Sequence, residues 1–359
     1  MIKTFEKYLV KLYLKKLLIV SAIFMSLIII ISVFDEISYF KNSQLGFFFP
    51  VVITILNAPS VLFQIFPFIF LISSQFFFLD LINTDELSVL KTNGLSNLKI
   101  IRILFFTSFL MSLFLITFYY NFSSKLKFLY LDLKNSYSLD DKYLAVVTEN
   151  GLWVKDEISD KIYIVNAERI EDHFLHEVLV SEFDKNFDII QIIQSSKIDI
   201  SDFNWVIINP TVTKNNKSVK LDNSIKIKTH FNEEKIRSLF RNMSSLNIFE
   251  LIKLDNDYKS LGYSTTEVRS YLHKILSLPW YLPTMSILGG IIMLNIRRNK
   301  PMIFHIVLGI IISVLVYYFY YLFNLLGEND KIPILISIWM PLLLLTIFIF
   351  IGLIRINEK

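Results

Sequence analysis

The placement of charge along these 359 residues constrains the fold more than any other feature. Charged residues make up 19% of the chain, yet several stretches of about 20 residues carry almost none. A run of that length spans the hydrocarbon core of a bilayer as a helix, where each backbone polar group must be satisfied within its own segment. The composition agrees: 53% of residues are hydrophobic, 33 are Phe, and the mean hydropathy is +0.51. The chain is predicted to be an α-helical membrane protein.

Six spans are predicted. The first, about Leu17–Val33, follows the basic residues Lys3, Lys7, Lys11, Lys15 and Lys16. A secretory signal also begins basic and then apolar. Here the run exits into Asp35, Glu36 and Ile37 without a small-x-small cleavage site, which predicts a retained anchor. The next apolar tract, about Phe47–Ile82, is longer than one span needs and is interrupted by Asn57, Pro59 and Gln64. It reads as a slanted helix, Phe47–Leu62, followed by a second span, Phe63–Ile82. The third is about Ile100–Tyr120. Three more follow a polar middle: Ile275–Ile296, Ile303–Leu325 and Ile334–Ile354.

Positive charge sets the orientation. Lysines precede the first span, Lys91, Lys99 and Arg102 lie between the second and third, and Arg297, Arg298 and Lys300 lie between the fourth and fifth. The alternate links hold little: Lys41 in one, Gly327–Lys331 in the other. Both termini are therefore expected in the cytoplasm and the middle segment, Asn121 to Lys274, outside it. The predicted parts are an N-terminal membrane half (1–122), an extracytoplasmic domain (123–274) and a C-terminal membrane half (275–359). The net charge of +4 comes largely from lysines beside the spans and does not point to nucleic acid.

The middle segment alternates with period two in short runs. Val219, Leu221, Ile225 and Ile227 share one parity, and Trp153, Ile162, Ile164, Phe203, Trp205 and Ile207 sit in similar runs. Asn150–Gly151, Asn186, Asn209–Pro210 and Asn215–Asn216 supply turn signals, so an antiparallel sandwich or open barrel is expected over about Tyr143–Thr229. Helical connections are expected at about Ser123–Tyr137 and Glu233–Tyr258. The face carrying Val219, Leu221, Ile225 and Ile227 could line a slot for acyl chains or form a closed core.

Few residues suggest chemistry. The chain has no Cys, which excludes disulfides and thiol catalysis. Glu168, Glu171, Asp172, His173, His176 and Glu177 cluster, but no zinc-protease order is present, and two histidines three apart on a strand face opposite sides. They read as a solvated edge, with no metal expected. There is no phosphate-binding glycine loop, so ATP, if used, is bound by a partner and no cofactor is expected in this chain. No acid/base or nucleophile set stands out.

The link Asp80–Gly94 is more informative. Leu87, Leu90 and the stem of Lys91 fall on one face of a short helix of about 84–94, with Thr84 as its expected N-cap, Asp85 and Glu86 at its positive end and Gly94 as its stop. Such a helix suits docking onto a soluble partner, or it merely turns the chain. Within the spans, Gln64, Gln75, His305 and Asn324 are polar at membrane depth, where they either face a cavity or bond a neighbouring helix. Pro279, Pro283 and Pro341 are expected to kink or open their helices, with Trp280 and Trp339 as interface anchors.

The run Gln64-Ile65-Phe66-Pro67-Phe68, Leu81 and Asp85-Glu86-Leu87 through Gly94 resembles the signature of the LptF/LptG permease family. Gly151-Leu152-Trp153-Val154-Lys155-Asp156 with Ile162-Tyr163-Ile164 resembles the start of that family's periplasmic β-jellyroll, and in particular that of LptG. Gly309, Tyr317, Leu326-Gly327, Ile332-Pro333 and Trp339-Met340-Pro341 resemble its last hairpin. The resemblance implies a lipopolysaccharide-export permease subunit with six spans, three on each side of the jellyroll. It implies an LptF–LptG heterodimer enclosing a cavity, an LptB-type ATPase dimer gripping the helix after the second span, and an LptC-type single-span protein beside the first. Asp85, Glu86, Leu87, Leu90 and Gly94 would then couple to the ATPase. Lys41, Gln64, His305 and the β residues Val219, Leu221, Ile225 and Ile227 would lie on the lipid path. In one respect the chain departs from the family: the stretch after the first span has Asp35, Glu36 and a single base, Lys41, where LptG proteins carry several bases. The competing class is a membrane scaffold or sensor. A sensor would ordinarily need a cytoplasmic output domain, and each cytoplasmic segment here is short.

Overall fold

A computed structural model describes all residues except 1–3, 42–45, 47, 138–151, 159–160, 172, 186, 215–216, 234–235, 237–241, 261–263, 296–300 and 358–359. The chain divides into two compact units, one of Met1–Tyr130, Met243–Leu251 and Thr266–Lys359, the other of Leu131–Asn242 and Ile252–Thr265. The first unit holds six helices long and apolar enough to cross a membrane.

Helix α1 runs Thr4–Tyr39, well past the predicted span at both ends, because neither Pro nor Gly interrupts it. The long apolar tract breaks where Gln64 meets Pro67. Helix α2 (Phe48–Gln64) ends there, and α3 (Phe66–Asn83) starts with Pro67 in its first turn, where the missing N–H costs nothing. After the short α4 (Glu86–Thr92), α5 (Asn97–Phe114) passes through a π-turn, Leu115–Tyr119, into α6 (Tyr120–Ser136). The predicted third span and the helical flank after it are thus one continuous rod. Beyond the sheet come α7 (Ile248–Ser260), α8 (Thr266–Leu294), α9 (Met302–Glu328) and α10 (Ile334–Asn357). The helical flank expected from Glu233 is realised over α7, and its earlier part lies partly outside the described residues.

Helices α3 and α8 form the centre of this unit. A Cβ built on Gly289 of α8 would stand 2.1 Å from Ser74 Oγ and 2.5 Å from the Leu71 carbonyl oxygen of α3. Only hydrogen fits there, which is how small residues let membrane helices approach. Around this contact Tyr13, Ser108 and Ser286 join α1, α5 and α8 through hydroxyl hydrogen bonds of 2.8–2.9 Å. Gly289→Leu should separate α3 from α8 and cost more than the ~1–3 kcal/mol typical of overpacking, because backbone is in the way. The expected outcome is a chain that inserts but loses its detergent-stable fold, read as a lowered melting temperature. An unchanged melting temperature would refute the close approach.

The second unit carries one antiparallel eight-stranded sheet: β1 (Leu152–Ile158), β2 (Lys161–Glu171), β3 (Phe174–Phe183), β4 (Ile189–Asp199), β5 (Asn204–Ile208), β6 (Thr211–Lys214), β7 (Lys217–Lys220) and β8 (Ile225–Lys228). The first five strands pair in sequence order, and β8 pairs with β5. Strand β4 forks: Lys197–Asp199 pair with β5, and Ile192–Gln194 with β6. Asn209, at φ 47°, makes the turn between β5 and β6, and a side-chain amide or carboxyl tolerates that conformation better than most. Asn150–Gly151, Asn186 and Asn215–Asn216, named above as turn signals, lie outside the described residues, as does the start of the predicted β region before Leu152. Val154, Val165, Val180, Trp205, Ile207 and Phe231 are buried, and the Trp205 indole N–H donates to the Phe231 carbonyl at 2.8 Å.

Candidate functional site

The link between α3 and α5 is built by two left-handed residues on either side of α4. Asp85 has φ 58° and Gly94 φ 83°. At the far end Leu95 N–H reaches the Leu90 carbonyl at 3.0 Å and Gly94 N–H the Lys91 carbonyl at 2.9 Å, the two bonds of a Schellman stop. Ser96 then caps α5 by accepting from Lys99 N–H. Thr84 is not the N-cap of α4 as expected: its hydroxyl bonds the Asp80 carbonyl, and it closes α3. The threonine can finish the preceding helix without strain, which leaves Asp85 to take the left-handed turn.

Leu87 and Leu90 are half-buried, whereas Val89 is exposed. The outward apolar residue of α4 is therefore Val89, since its leucines turn partly towards the chain itself. Glu86 is engaged as well: the Tyr8 hydroxyl of α1 donates to its carboxylate at 2.6 Å. The same face of α1 carries an ion pair from Lys16 to Asp80 and the Phe5 ring, over which the Lys99 ammonium lies 5.2 Å from the centroid. Residues 5, 8 and 16 fall within a narrow arc of the helix, so one face of α1 grips the end of α3, α4 and the start of α5. Sequence patterns could not show this, because each partner lies far away along the chain.

A cavity of about 220 Å³ opens between the α2–α3 junction, α8 and α9. Gln64, Tyr271, Lys274, Tyr281, Tyr317 and Asn324 are among its lining residues, with Phe63, Pro67 and Leu278 among the apolar walls. Tyr281 stacks on Tyr320 with centroids 5.0 Å apart, and the Tyr320 hydroxyl is hydrogen-bonded to Ser277 at 3.2 Å. The spacing of Tyr317, Tyr320, Tyr321 and Asn324 is that of one helix face, a pattern the sequence itself carries.

Of the residues expected on the lipid path, Gln64 is at this cavity and Lys41 is exposed just past α1. His305 does not reach it. Its side chain is buried, its ring packs edge-on against Phe304, and its carbonyl accepts the Gln75 amide at 2.9 Å. Of the two acids after the first span, Glu36 is withdrawn from the surface and accepts the Tyr130 hydroxyl at 2.7 Å.

Val219, Leu221, Ile225 and Ile227 do not form one strand face. Val219 lies on β7 and Leu221 just beyond it, both exposed, because among the described residues β7 pairs with β6 alone. Ile225 and Ile227 lie on β8 and are half-buried. Ile227 shares with Val154, Val165, Val180, Trp205 and Ile207 an interior with only about 10 Å³ of free space. That is about the room one water needs. The buried Asp156 of β1 accepts the His230 backbone N–H and contacts its ring Nδ1, both at 2.8 Å, which joins β1 to the chain leaving β8. His173 lies in the β2–β3 turn and not on a strand, so strand alternation does not separate it from His176; Asp172 lies outside the described residues. Among the described residues no three His, Asp or Glu converge as metal ligands.

Six apolar helices, a β-sheet insert and a clamped elbow between the second and third spans define a membrane permease subunit and not a catalytic enzyme. Over residues 7–355 the sequence matches the lipopolysaccharide export system permease LptF/LptG, and the chain belongs to that family. Its general role is therefore transport of lipopolysaccharide. No curated protein matches the chain.

Proposed function

We propose that this chain is one permease subunit of an ABC transporter that extracts lipopolysaccharide from the bacterial inner membrane, with its β-unit in the periplasm. The carrying observation is family membership over nearly the whole chain combined with an elbow whose outer surface offers Val89 beside the acidic start of α4. If ATP drives this permease, an ATPase must supply it in trans, and the elbow is the feature suited to receive that partner. An LptB-type ATPase dimer, an LptF/LptG homologue as second permease and an LptC-type single span complete the assembly. The exposed apolar residues Leu18, Ile31 and Phe34 of α1 suit a transmembrane neighbour. The Gly151-Leu152-Trp153 run favours the LptG position. A β-unit outside the membrane would cover acyl chains, whose transfer to water costs ~0.8 kcal/mol per CH₂.

Two measurements test this. The tagged chain, purified in mild detergent, should bring down a second permease and two nucleotide-binding subunits; purification without any ATPase would favour a scaffold or sensor. In this Cys-free chain, a cysteine at Asn223 should react with an impermeant thiol reagent in spheroplasts and one at Asn93 should not. Equal labelling would overturn the orientation, and with it the periplasmic β-unit.

A further inference from the structure

Two breaks in helical regularity pack against each other in the membrane unit. One is the α2–α3 junction, where Pro59 lies within α2 and Ile65, at φ −98° and ψ 5°, leaves the helical conformation. The other is the π-turn, Leu115–Tyr119, where the Tyr120 N–H reaches five residues back to the Leu115 carbonyl. Two adjacent tyrosines join them. The Tyr119 hydroxyl donates to the Pro59 carbonyl at 3.2 Å, and its ring lies parallel to Phe63 and edge-on to Phe66, with centroids 6.4 and 5.3 Å away. The Tyr120 ring meets Phe63 at 5.1 Å, and its hydroxyl donates to the Leu246 carbonyl at 2.8 Å. The π-turn therefore touches both sides of the α2–α3 break, Pro59 and Phe63 before it and Phe66 after it.

A π-turn holds one residue more than an α-helix of the same span, and such turns recur at functional sites. The extra residue can migrate along the helix. Only the residues between its old and new places then rotate, by about 100°, the angle of one residue in an α-helix. The helices on either side stay where they are. In a bilayer the obstacle to such a move is the backbone, because a released carbonyl has no water to turn to. Here side-chain donors stand by. The Asn121 amide donates to the Thr117 carbonyl at 2.7 Å, and the Thr117 hydroxyl donates to the Leu113 carbonyl at 2.8 Å. Side-chain bonds of this kind compete with the helical ladder and bend it. The same asparagine carries a penalty in the present register, since its amide oxygen is buried without a donor among the described residues. An acceptor left unbonded in this way disfavours the register that strands it.

We propose that the π-turn is a migrating joint that grips and releases the α2–α3 junction. In the register described, Tyr119 and Tyr120 hold Pro59, Phe63 and Phe66. In the second register the extra residue lies beyond Tyr120, and the stretch carrying both tyrosines has turned by about 100°. Phe63 and the Pro59 carbonyl are then released, while α5, which starts at the elbow, and the body of α6 keep their positions. Phe63 is a wall of the cavity described above, so the joint governs how far that wall can move. Every part of the joint lies in one unit of the chain, and it works whether or not an ATPase drives the permease.

The absence of native cysteine makes paired spin labels a direct test. In the full chain in phosphatidylcholine nanodiscs, a nitroxide at Ile351 of α10 is paired in turn with one at Leu110 of α5, Phe118 in the turn or Phe128 of α6, all exposed positions. The 118–351 pair should give two distances differing by up to about 8 Å, the travel of a side-chain tip turned by about 100° on a helix ~10–12 Å across. The other two pairs should give one distance each. Asn121→Leu removes the donor to the Thr117 carbonyl and should shift the 118–351 populations about fivefold towards the second distance, the equilibrium worth of one hydrogen bond. Deletion of Phe118 takes out the extra residue and leaves both tyrosines in the gripping register. That chain should insert and melt no lower than the unaltered one, and this holds as a check even if Asn121→Leu misfolds. A single 118–351 distance in the unaltered chain would overturn the proposal. So would an equal change at Phe128, which would mean that α6 bends as a whole, or a lowered melting temperature on deletion of Phe118.

Discussion

Replacing Glu86 by lysine is expected to remove lipid-stimulated ATP hydrolysis while leaving the chain inserted. Two effects act in the same direction. The Tyr8 hydroxyl loses its carboxylate partner, so α1 no longer holds the start of α4. On the proposed reading a cation also replaces the anion that the elbow would present to an ATPase, and reversing one charge in a paired interface costs ~2–5 kcal/mol, more than about thirtyfold in affinity. Tyr8→Phe separates the two effects. It removes the internal bond and leaves the charge, so the ATPase should stay bound while hydrolysis responds less to lipid. Normal lipid-stimulated hydrolysis in Glu86→Lys would remove the elbow from the coupling pathway.

Ile227→Asp should unfold the β-unit. Its side chain faces a filled interior beside Val154, Trp205 and Ile207, where a carboxylate meets mostly apolar walls and room for no more than about one water. Burying an unpaired charge is costly, and the partial exposure of β8 reduces the effect to about 3 kcal/mol, the lower part of the usual range. Limited proteolysis of the full chain reads this directly, with cleavage expected between β1 and β8. Val219→Asp is the control. That residue is exposed, and the change should stay within ~0.5 kcal/mol. If the two variants resist protease equally, water reaches Ile227, as it would in an open acyl-chain slot.

The sequence disclosed the parts of this fold that depend on local pattern. Hydropathy located the six spans, although α1 begins 13 residues and α8 nine residues before the predicted starts, and Gln64 with Pro67 marked the break between α2 and α3. Asn209–Pro210 marked the β5–β6 turn. What stayed hidden depends on groups that meet only after folding. Tyr8 and Glu86 lie 78 residues apart and Tyr13 and Ser286 lie 273 apart, and no periodicity reveals such pairs. Parity grouped Val219 with Ile227 because two short strands kept the same phase across the break at Leu221, although they pair with different neighbours. His305 and Gln64 are equally polar in the sequence. Only packing distinguishes them, one inside the bundle and the other at a cavity.

The unbroken course of α1 has a mechanical consequence. At 36 residues it is a rod about 54 Å long, and without Pro or Gly it has no built-in hinge at which to absorb bending. It is fastened at its base to the elbow through Phe5, Tyr8 and Lys16, and at its other end Glu36 is fastened to Tyr130. A lever held in this way converts angle into travel: a tilt of about 5° at the base carries the far end about 5 Å, given the rise per residue of an α-helix. That travel is comparable to one helical turn. A small rotation of a seven-residue helix on one side of the bilayer thus becomes a displacement of atomic groups on the other.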